Sequence, residues 1–260
     1  MKYKSFANFL SISLAATLCF TCLGCGTETE KGGDDQANPE QYLIGEEKPD
    51  MKAKLNPKLL DYADGVRNAI DGIADTRKAS LETIAGYVSE KLKDSGTAKL
   101  IFICTHNSRR SHMSQIWAQT AAVFYGIQNF QAYSGGTEAT AFNPRAIKAL
   151  RSAGFEIVPL TENSNPEYKV AYAEGVEPIR AFSKKYSHRV NPQSGFGAVM
   201  TCSQADETCP LVVGAEFRQA IPYEDPKVAD GTSEEEVRYE ERCRQIATEM
   251  FYMLSRVSVG

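Results

Sequence analysis

Five residues separate Cys104 from Arg110 in Lys99-Leu-Ile-Phe-Ile-Cys104-Thr-His-Asn-Ser-Arg-Arg110-Ser111, an apolar run that ends on a sulfur. A strand ending at Cys104 and a helix beginning near Ser108 leave a tight loop whose backbone N–H groups converge on one point, where they can cradle a tetrahedral anion. Thr105, His106, Asn107, Ser108, Arg109, Arg110 and Ser111 are the candidate oxyanion-binding residues. The spacing lets the loop curl back so that the Cys104 sulfur and the Arg110 guanidinium face the same anion. Helix N-terminus, loop amides and Arg110 are expected to favour the thiolate, the form that attacks phosphorus or arsenic. Ser111 adds a hydroxyl that can steady it. A cysteine closing a buried strand can also be only a small apolar residue. Against that stands the helix that follows, with Met113, Ile116, Trp117, Thr120, Val123 and Phe124 spaced for one buried face.

Two further groups could join this chemistry. Ile221-Pro-Tyr-Glu-Asp225-Pro226 sets a carboxylate in a rigid turn after a short strand, suited to reach across the mouth of the anion site. A general acid there would protonate the leaving oxygen, a step often worth about 10²–10⁴ in rate. Farther back, Thr201-Cys202-Ser-Gln-Ala-Asp-Glu-Thr-Cys209-Pro210 carries two thiols. They meet only if the segment between them loops or unwinds, which suits a mobile redox pair. A structural disulfide and two inert buried thiols stay open as alternatives. Zinc would need more ligands, and none of the three histidines stands at a helpful spacing, so no metal site is expected.

The elements that must hold these groups alternate. Strand Leu100–Cys104, helix Ser108–Tyr125, strand Phe130–Ser134, helix Asn143–Ala153 closed by Gly154, strand Gly197–Cys202, a short strand near Ile221 and a last helix from Ser233 imply an α/β parallel sheet covered on both faces. Ligands of such sheets sit beyond the carboxyl ends of the strands, where the Cys104 loop falls. Ser233 and Glu236 form a candidate capping box. From Pro159 to Ser194 the pattern fails, and a long irregular insertion is expected. Upstream, two helices are expected over Pro57 to about Asp71, with Asn56 as N-cap, and Thr76 to about Asp94, with Leu81, Ile84, Ala85, Val88 and Leu92 on one side. The modest expectation is a helical pair packed on the core.

At 260 residues the chain is long enough for one sizeable core plus extensions. A net charge of −4, with no basic stripe interleaved with aromatics, makes no case for nucleic acid. Lys2 and Lys4, an apolar run from Phe6 to Phe20, and Thr-Cys22-Leu-Gly-Cys25-Gly read as an export signal over residues 1–24 ending in a lipobox, with Cys25 as the lipidated N-terminus. Residues 25–55 read as a solvated tether. The expected organisation is then signal, tether, helical extension over 56–96 and catalytic domain over 97–260. An exported, membrane-anchored lipoprotein facing the periplasm or cell exterior follows. Of the seven cysteines, Cys243 lies in a helical stripe with Ile246, Ala247, Met250, Leu254 and Val257 and is expected to pack.

From about Lys99 onward the residues resemble the low-molecular-weight protein tyrosine phosphatases and the thioredoxin-coupled arsenate reductases related to them. Cys104 to Ser111 looks like the family's phosphate loop, Tyr133-Ser-Gly-Gly-Thr137-Glu and Asn143-Pro144-Arg145-Ala146-Ile147 like the next strand and helix of the reductases, and Asp225-Pro226 like the general acid. The resemblance implies a flavodoxin-like three-layer sandwich with a four-stranded parallel sheet and no cofactor. The Cys202/Cys209 spacing followed by Pro210 is similar to the reductases. It implies a relay in which Cys104 attacks arsenate, Cys202 attacks Cys104, Cys209 captures Cys202, and a thioredoxin-like partner restores the dithiol. The alternative is phosphomonoester hydrolysis through a phosphocysteine. His106 replaces a frequent glycine of the loop, and Lys227 stands where tyrosine phosphatases often carry an aromatic, a place that Tyr168, Tyr172 or Tyr186 of the insertion could fill.

Overall fold

The apolar run before Cys104 is buried at every residue except Lys99, as a strand covered on both faces must be. In the computed structural model, which describes residues 54–258, it is strand β1 (Ala98–Cys104). Helices α1 (Pro57–Arg67) and α2 (Asp75–Ser95) precede it. Helix α3 (Arg110–Phe124), strand β2 (Phe130–Gly136) and helix α4 (Pro144–Ala153) follow, then three short strands β3 (Glu156–Pro159), β4 (Tyr168–Ala171) and β5 (Ile179–Ala181). Strand β6 (Phe196–Met200), helix α5 (Ser203–Thr208), strand β7 (Ala215–Ala220) and helix α6 (Glu235–Ser255) complete the chain. The expected signal, Cys25 and nearly all of the expected tether lie outside the described residues.

The main sheet has the order β2-β1-β6-β7, and each neighbouring pair runs parallel. With the first two strands reversed in space and helices between, this is the flavodoxin-like α/β arrangement. Successive residues of β1 divide between two apolar clusters: Leu100 and Phe102 join residues of α1, α2, α3, α4 and α6, while Ile101, Ile103 and Cys104 join Met200, Cys202 and Ala205. By that period Cys104 would follow Leu100 and Phe102, but it ends the strand where the chain turns into the loop, and it joins the cluster of the second cysteine instead. On the other side Trp117 donates its Nε1 hydrogen to Cys243 Sγ at 3.3 Å. Burial pushes that thiol up to about 12.

The helical pair is part of this core. Asn56 caps α1 by accepting from Leu59 N at 3.0 Å, and its Nδ2 donates to Gly154 O, the left-handed C-cap of α4. Leu59, Ala63 and Val66 of α1 and Leu81, Ile84 and Val88 of α2 are fully buried in the larger cluster. Leu55 is also buried and bridges to Ala173. Lys54 and Leu55, the described end of the stretch expected to be tether, therefore pack on the fold.

Four expectations change. Helix α3 starts at Arg110, not Ser108, because the intervening residues belong to the loop. Strand β6 stops at Met200 and leaves Cys202 as the N-cap of α5. The box expected from Ser233 and Glu236 does not form: Glu235 accepts from Gly231 N, Glu236 is drawn to Lys148 Nζ at 2.8 Å, and α6 begins two residues later. The stretch from Pro159 to Ser194 is not irregular throughout. Strands β3, β4 and β5 form an antiparallel sheet of three- and four-residue strands, too short for alternation to show in sequence.

After β5 the chain docks on the open edge of β2. Gly136 N donates to Lys184 O and Tyr186 N to Gly136 O, both at 2.8 Å. Farther along that edge, Gln115 Nε2 donates to Ala132 O, Gln119 Oε1 accepts from Ala132 N, and Asn191 Nδ2 donates to Ser134 O. Lys184 is buried by this docking, and burial lowers its ammonium to about 8.

Leu81→Ala should lower the unfolding free energy by about 2–5 kcal/mol. Because the helices share the core, circular dichroism of α-helix and fluorescence of Trp117 should report one coincident urea transition; separate transitions would show that the pair folds as its own unit. Lys184 binds its proton less tightly folded than unfolded, so stability should rise as pH climbs from about 8 toward 10.5. Lys184→Met should raise the urea midpoint at pH 7 and remove that component of the rise.

Candidate active site

The loop from Cys104 to Arg110 is shaped from outside, through its carbonyl groups. Cys104 O accepts from Thr137 N at 3.2 Å, Thr105 O from Glu138 N at 2.8 Å, and Ser108 O from Asn143 N at 2.9 Å. His106 O accepts from the hydroxyl of Ser183 at 2.8 Å. Asn107 adopts φ 44°, a left-handed conformation that asparagine tolerates better than most residues. With carbonyls held outward, the amides turn inward. Among the described residues, no backbone N–H from Thr105 to Ser111 donates to a protein acceptor. A ring of free amides closed by the N-terminus of α3 is an anion cradle. Gly136 makes room for it: a Cβ there would meet Glu138 O at 2.2 Å, Thr105 O at 2.7 Å and Asn107 N at 2.8 Å.

At the floor, Cys104 Sγ lies 3.1 Å from Ser111 Oγ, and both residues are buried. The orientation of this pair is fixed by Asn107, whose Oδ1 accepts from Lys184 N at 3.0 Å while its Nδ2 donates to Ser111 Oγ at 2.9 Å. Ser111 already receives a hydrogen from Asn107, so its own is available to the sulfur.

Arg110 is held at the rim. Its Nη1 donates to Tyr223 O at 2.9 Å and its Nη2 to Asp225 Oδ2 at 2.7 Å. Its Nε is buried without a protein acceptor. Asp225 also caps the turn that follows by accepting from Lys227 N. Arg109 points elsewhere, donating Nε to Tyr239 Oη at 2.7 Å and lying 3.6 Å from Asp230 and 3.9 Å from Asp225. Burial pushes the Tyr239 phenol up to about 12. It stays protonated and donates onward to Asp230 Oδ1 at 2.9 Å.

The side chains of several expected anion ligands are thus engaged around the loop instead of inside it. Thr105 donates to Gln204 Oε1, Ser108 to Ala141 O, and His106 lies 3.5 Å from Glu138. What they leave without a protein acceptor is the backbone N–H.

Cys202 is 1% exposed, with its Sγ 3.5 Å from Thr105 Oγ1 and accepting from Ala205 N at 3.4 Å. Cys209 is half-buried at the far end of α5, donating to Leu211 O at 3.4 Å, with the Tyr186 hydroxyl as a further hydrogen-bond partner. Cys104, Cys202 and Cys209 are free thiols of one cluster, and the single turn and a half of α5 separates the last two. Among the three tyrosines considered as aromatic walls, Tyr186 packs on this cluster, whereas Tyr172 is buried in the larger core and Tyr168 stacks edge-on against Phe142. No group of metal ligands is found among the described residues.

Sequence reasoning missed the outer support of the loop. Ser183 and Lys184 come from the insertion, Tyr239 from α6 and Asp230 from the turn after Asp225, each reaching a loop residue across a long stretch of chain. Nothing local marks them. Asp230 alone carried a hint, as a second acid close behind Asp225-Pro226.

A solved arsenate reductase in its phosphate-binding state aligns over 62% of this chain and 100% of its own, at 18% identity and a TM-score of 0.40. Residues 99–168 match the model of the low molecular weight phosphotyrosine protein phosphatase family. An arsenate reductase of Bacillus licheniformis is 28% identical over 148 residues, 56% of this chain and 86% of that protein. Another, of Oceanobacillus iheyensis, is 29% identical over 136 residues, 52% of this chain and 79% of that protein. The Cys104 loop lies inside the matched segment, and over it this chain is similar to the low-molecular-weight protein tyrosine phosphatases and the arsenate reductases.

Proposed function

We propose that this chain is a cysteine-thiolate enzyme that reduces arsenate to arsenite through Cys104, Cys202 and Cys209. The observation that carries this choice is the second thiol. Cys202 lies against the loop, in one cluster with Cys104, and Cys209 stands partly exposed beyond it. Arsenate would sit on the loop amides with Arg110 at the rim. Cys104 Sγ attacks arsenic, and Asp225 gives its proton to the oxygen that leaves as water. Cys202 then attacks the Cys104 sulfur. The electron pair of the S–As bond stays on arsenic, which departs as arsenite, and a Cys104–Cys202 disulfide remains. Cys209 attacks Cys202, frees Cys104 and leaves a Cys202–Cys209 disulfide for an external thioredoxin-like dithiol. Neither metal nor organic cofactor enters these steps.

Phosphomonoester hydrolysis is the second reading. It is favoured by α5 itself, which is folded with Cys202 as its N-cap and keeps the two thiols at opposite ends. For the relay α5 must unwind; for hydrolysis it need not. There Cys104 would take the phosphoryl group, Asp225 would protonate the leaving alcohol, and water would release phosphate with Asp225 as base. For the segment before the fold, we propose export and lipidation at Cys25, placing the enzyme at a membrane surface; the mass of the mature N-terminus tests this.

Cys104→Ser should abolish turnover of both arsenate and aryl phosphate. Cys202→Ser and Cys209→Ser should abolish multiple-turnover arsenate reduction with a thioredoxin system while any phosphate hydrolysis persists. Aryl phosphate turnover that survives Cys202→Ser, with no arsenite formed by the unmutated enzyme, would reverse the preference. Gly136→Ala displaces the loop and should lower kcat/KM by about 10²-fold on either substrate, the usual effect of a displacement near 1 Å, with the fold retained by circular dichroism.

A further inference from the structure

Helix α2 lies upstream of the matched family segment, yet it holds the chain that leads to Asp225. Arg77, on its first turn, donates Nη2 to Pro222 O at 2.9 Å and to Ile221 O at 3.3 Å. Its guanidinium lies 4.7 Å from the centre of the Tyr223 ring. Its Nε donates to Glu249 Oε2 of α6 at 2.9 Å. Glu249 is 3% exposed, and a buried carboxylate needs such a partner, so the guanidinium is fixed from behind as well as in front.

The residues that Arg77 holds lead directly into those that hold Arg110, and Tyr223 belongs to both sets. Tyr223 is buried, its N–H donates to Thr201 O at 3.1 Å, and its carbonyl takes the Arg110 Nη1 hydrogen at 2.9 Å. Two residues on, Asp225 takes the Arg110 Nη2 hydrogen at 2.7 Å. Ile221 and Pro222 have no side-chain donor of their own to fix their carbonyls, and Pro222 has no N–H. A planar fork that bridges two successive carbonyls while lying on the next ring sets the direction in which this segment leaves β7. Lysine could supply the charge but not the fork.

We infer that Arg77 is a positioning residue of the active site, setting the Ile221–Tyr223 segment so that Asp225 and Arg110 meet at the mouth of the anion loop. The inference rests on the proposed role of Asp225 as general acid. Arg77 touches no reacting atom and acts through the backbone. The helical pair thereby has a task beyond burying apolar surface: it completes from outside the family domain the support of a catalytic carboxylate.

The test uses the full chain with Arg77→Met, Arg77→Lys, Asp225→Asn and, as control, Lys91→Met. The last removes a tie from α2 to the sheet, Lys91 Nζ to Glu216 at 2.7 Å, without touching the Asp225 segment. Hydrolysis of p-nitrophenyl phosphate, whose leaving group needs little protonation, is compared with that of phenyl phosphate, whose leaving group needs it. Arg77→Met should lower kcat on phenyl phosphate by about tenfold, with KM little changed and a much smaller loss on the nitrophenyl ester, the same selectivity as Asp225→Asn. Arg77→Lys should recover part of the loss, and Lys91→Met should leave the ratio of the two substrates unchanged. Equal losses on both esters in Arg77→Met, beside a selective loss in Asp225→Asn, would overturn the positioning role. Equal losses in Asp225→Asn itself would instead remove the general-acid reading. The side-chain carboxyl carbon resonance of Asp225 then decides positioning without turnover, and does so also if neither ester is hydrolysed. It should move in Arg77→Met and not in Lys91→Met, and an unmoved resonance would overturn the inference.

Discussion

The active site depends on where the carbonyl oxygens of one short loop are held. Each peptide unit has two polar ends, and fixing one outward turns the other inward. Thr137, Glu138, Asn143 and Ser183 take the oxygens of Cys104, Thr105, Ser108 and His106. What remains facing inward is a ring of N–H dipoles, positive toward the centre without any titratable group. Everything else is arranged around it. Gly136 permits the close approach, Asn107 supplies the left-handed turn and orients Ser111, and Arg110 adds a full positive charge at the rim.

The carbonyl acceptors are served by segments that differ widely in chain position. Residues 137–143 follow β2 directly, and a parallel sheet naturally brings them beside the end of β1. Ser183 and Lys184 come instead from the insertion, which extends the sheet beyond Gly136 and reaches the loop from the β2 side. Arg110 and Asp225 are set from the opposite side, by the segment leaving β7. The site is thus gripped from both edges of the sheet, and strand β1 between them supplies Cys104.

What the sequence made legible was local. The run into Cys104, the Asn56-Pro57 and Asn143-Pro144 starts and the Gly154 stop each carry their cause within a few residues, and the structure places all of them as expected. The sheet followed from alternation of elements. The insertion was illegible because its strands are short and because its value lies in contacts with residues some 77 positions away. Arg77 was illegible for the same reason, its partners lying 144, 145 and 172 positions downstream. The Ser233–Glu236 pattern misled because a capping box is only one outcome for an acid near a helix start, and Lys148 competed for it.

Cys243 shows how a protein with three clustered thiols can keep a fourth apart from them. It is sealed in the core on the far side of the sheet, with the indole N–H of Trp117 pointing at its sulfur. Burial holds it in the unreactive S–H form up to about 12, and disulfide interchange begins with an ionised sulfur. Any thiol exchange among Cys104, Cys202 and Cys209 would therefore have no side branch into the hydrophobic interior.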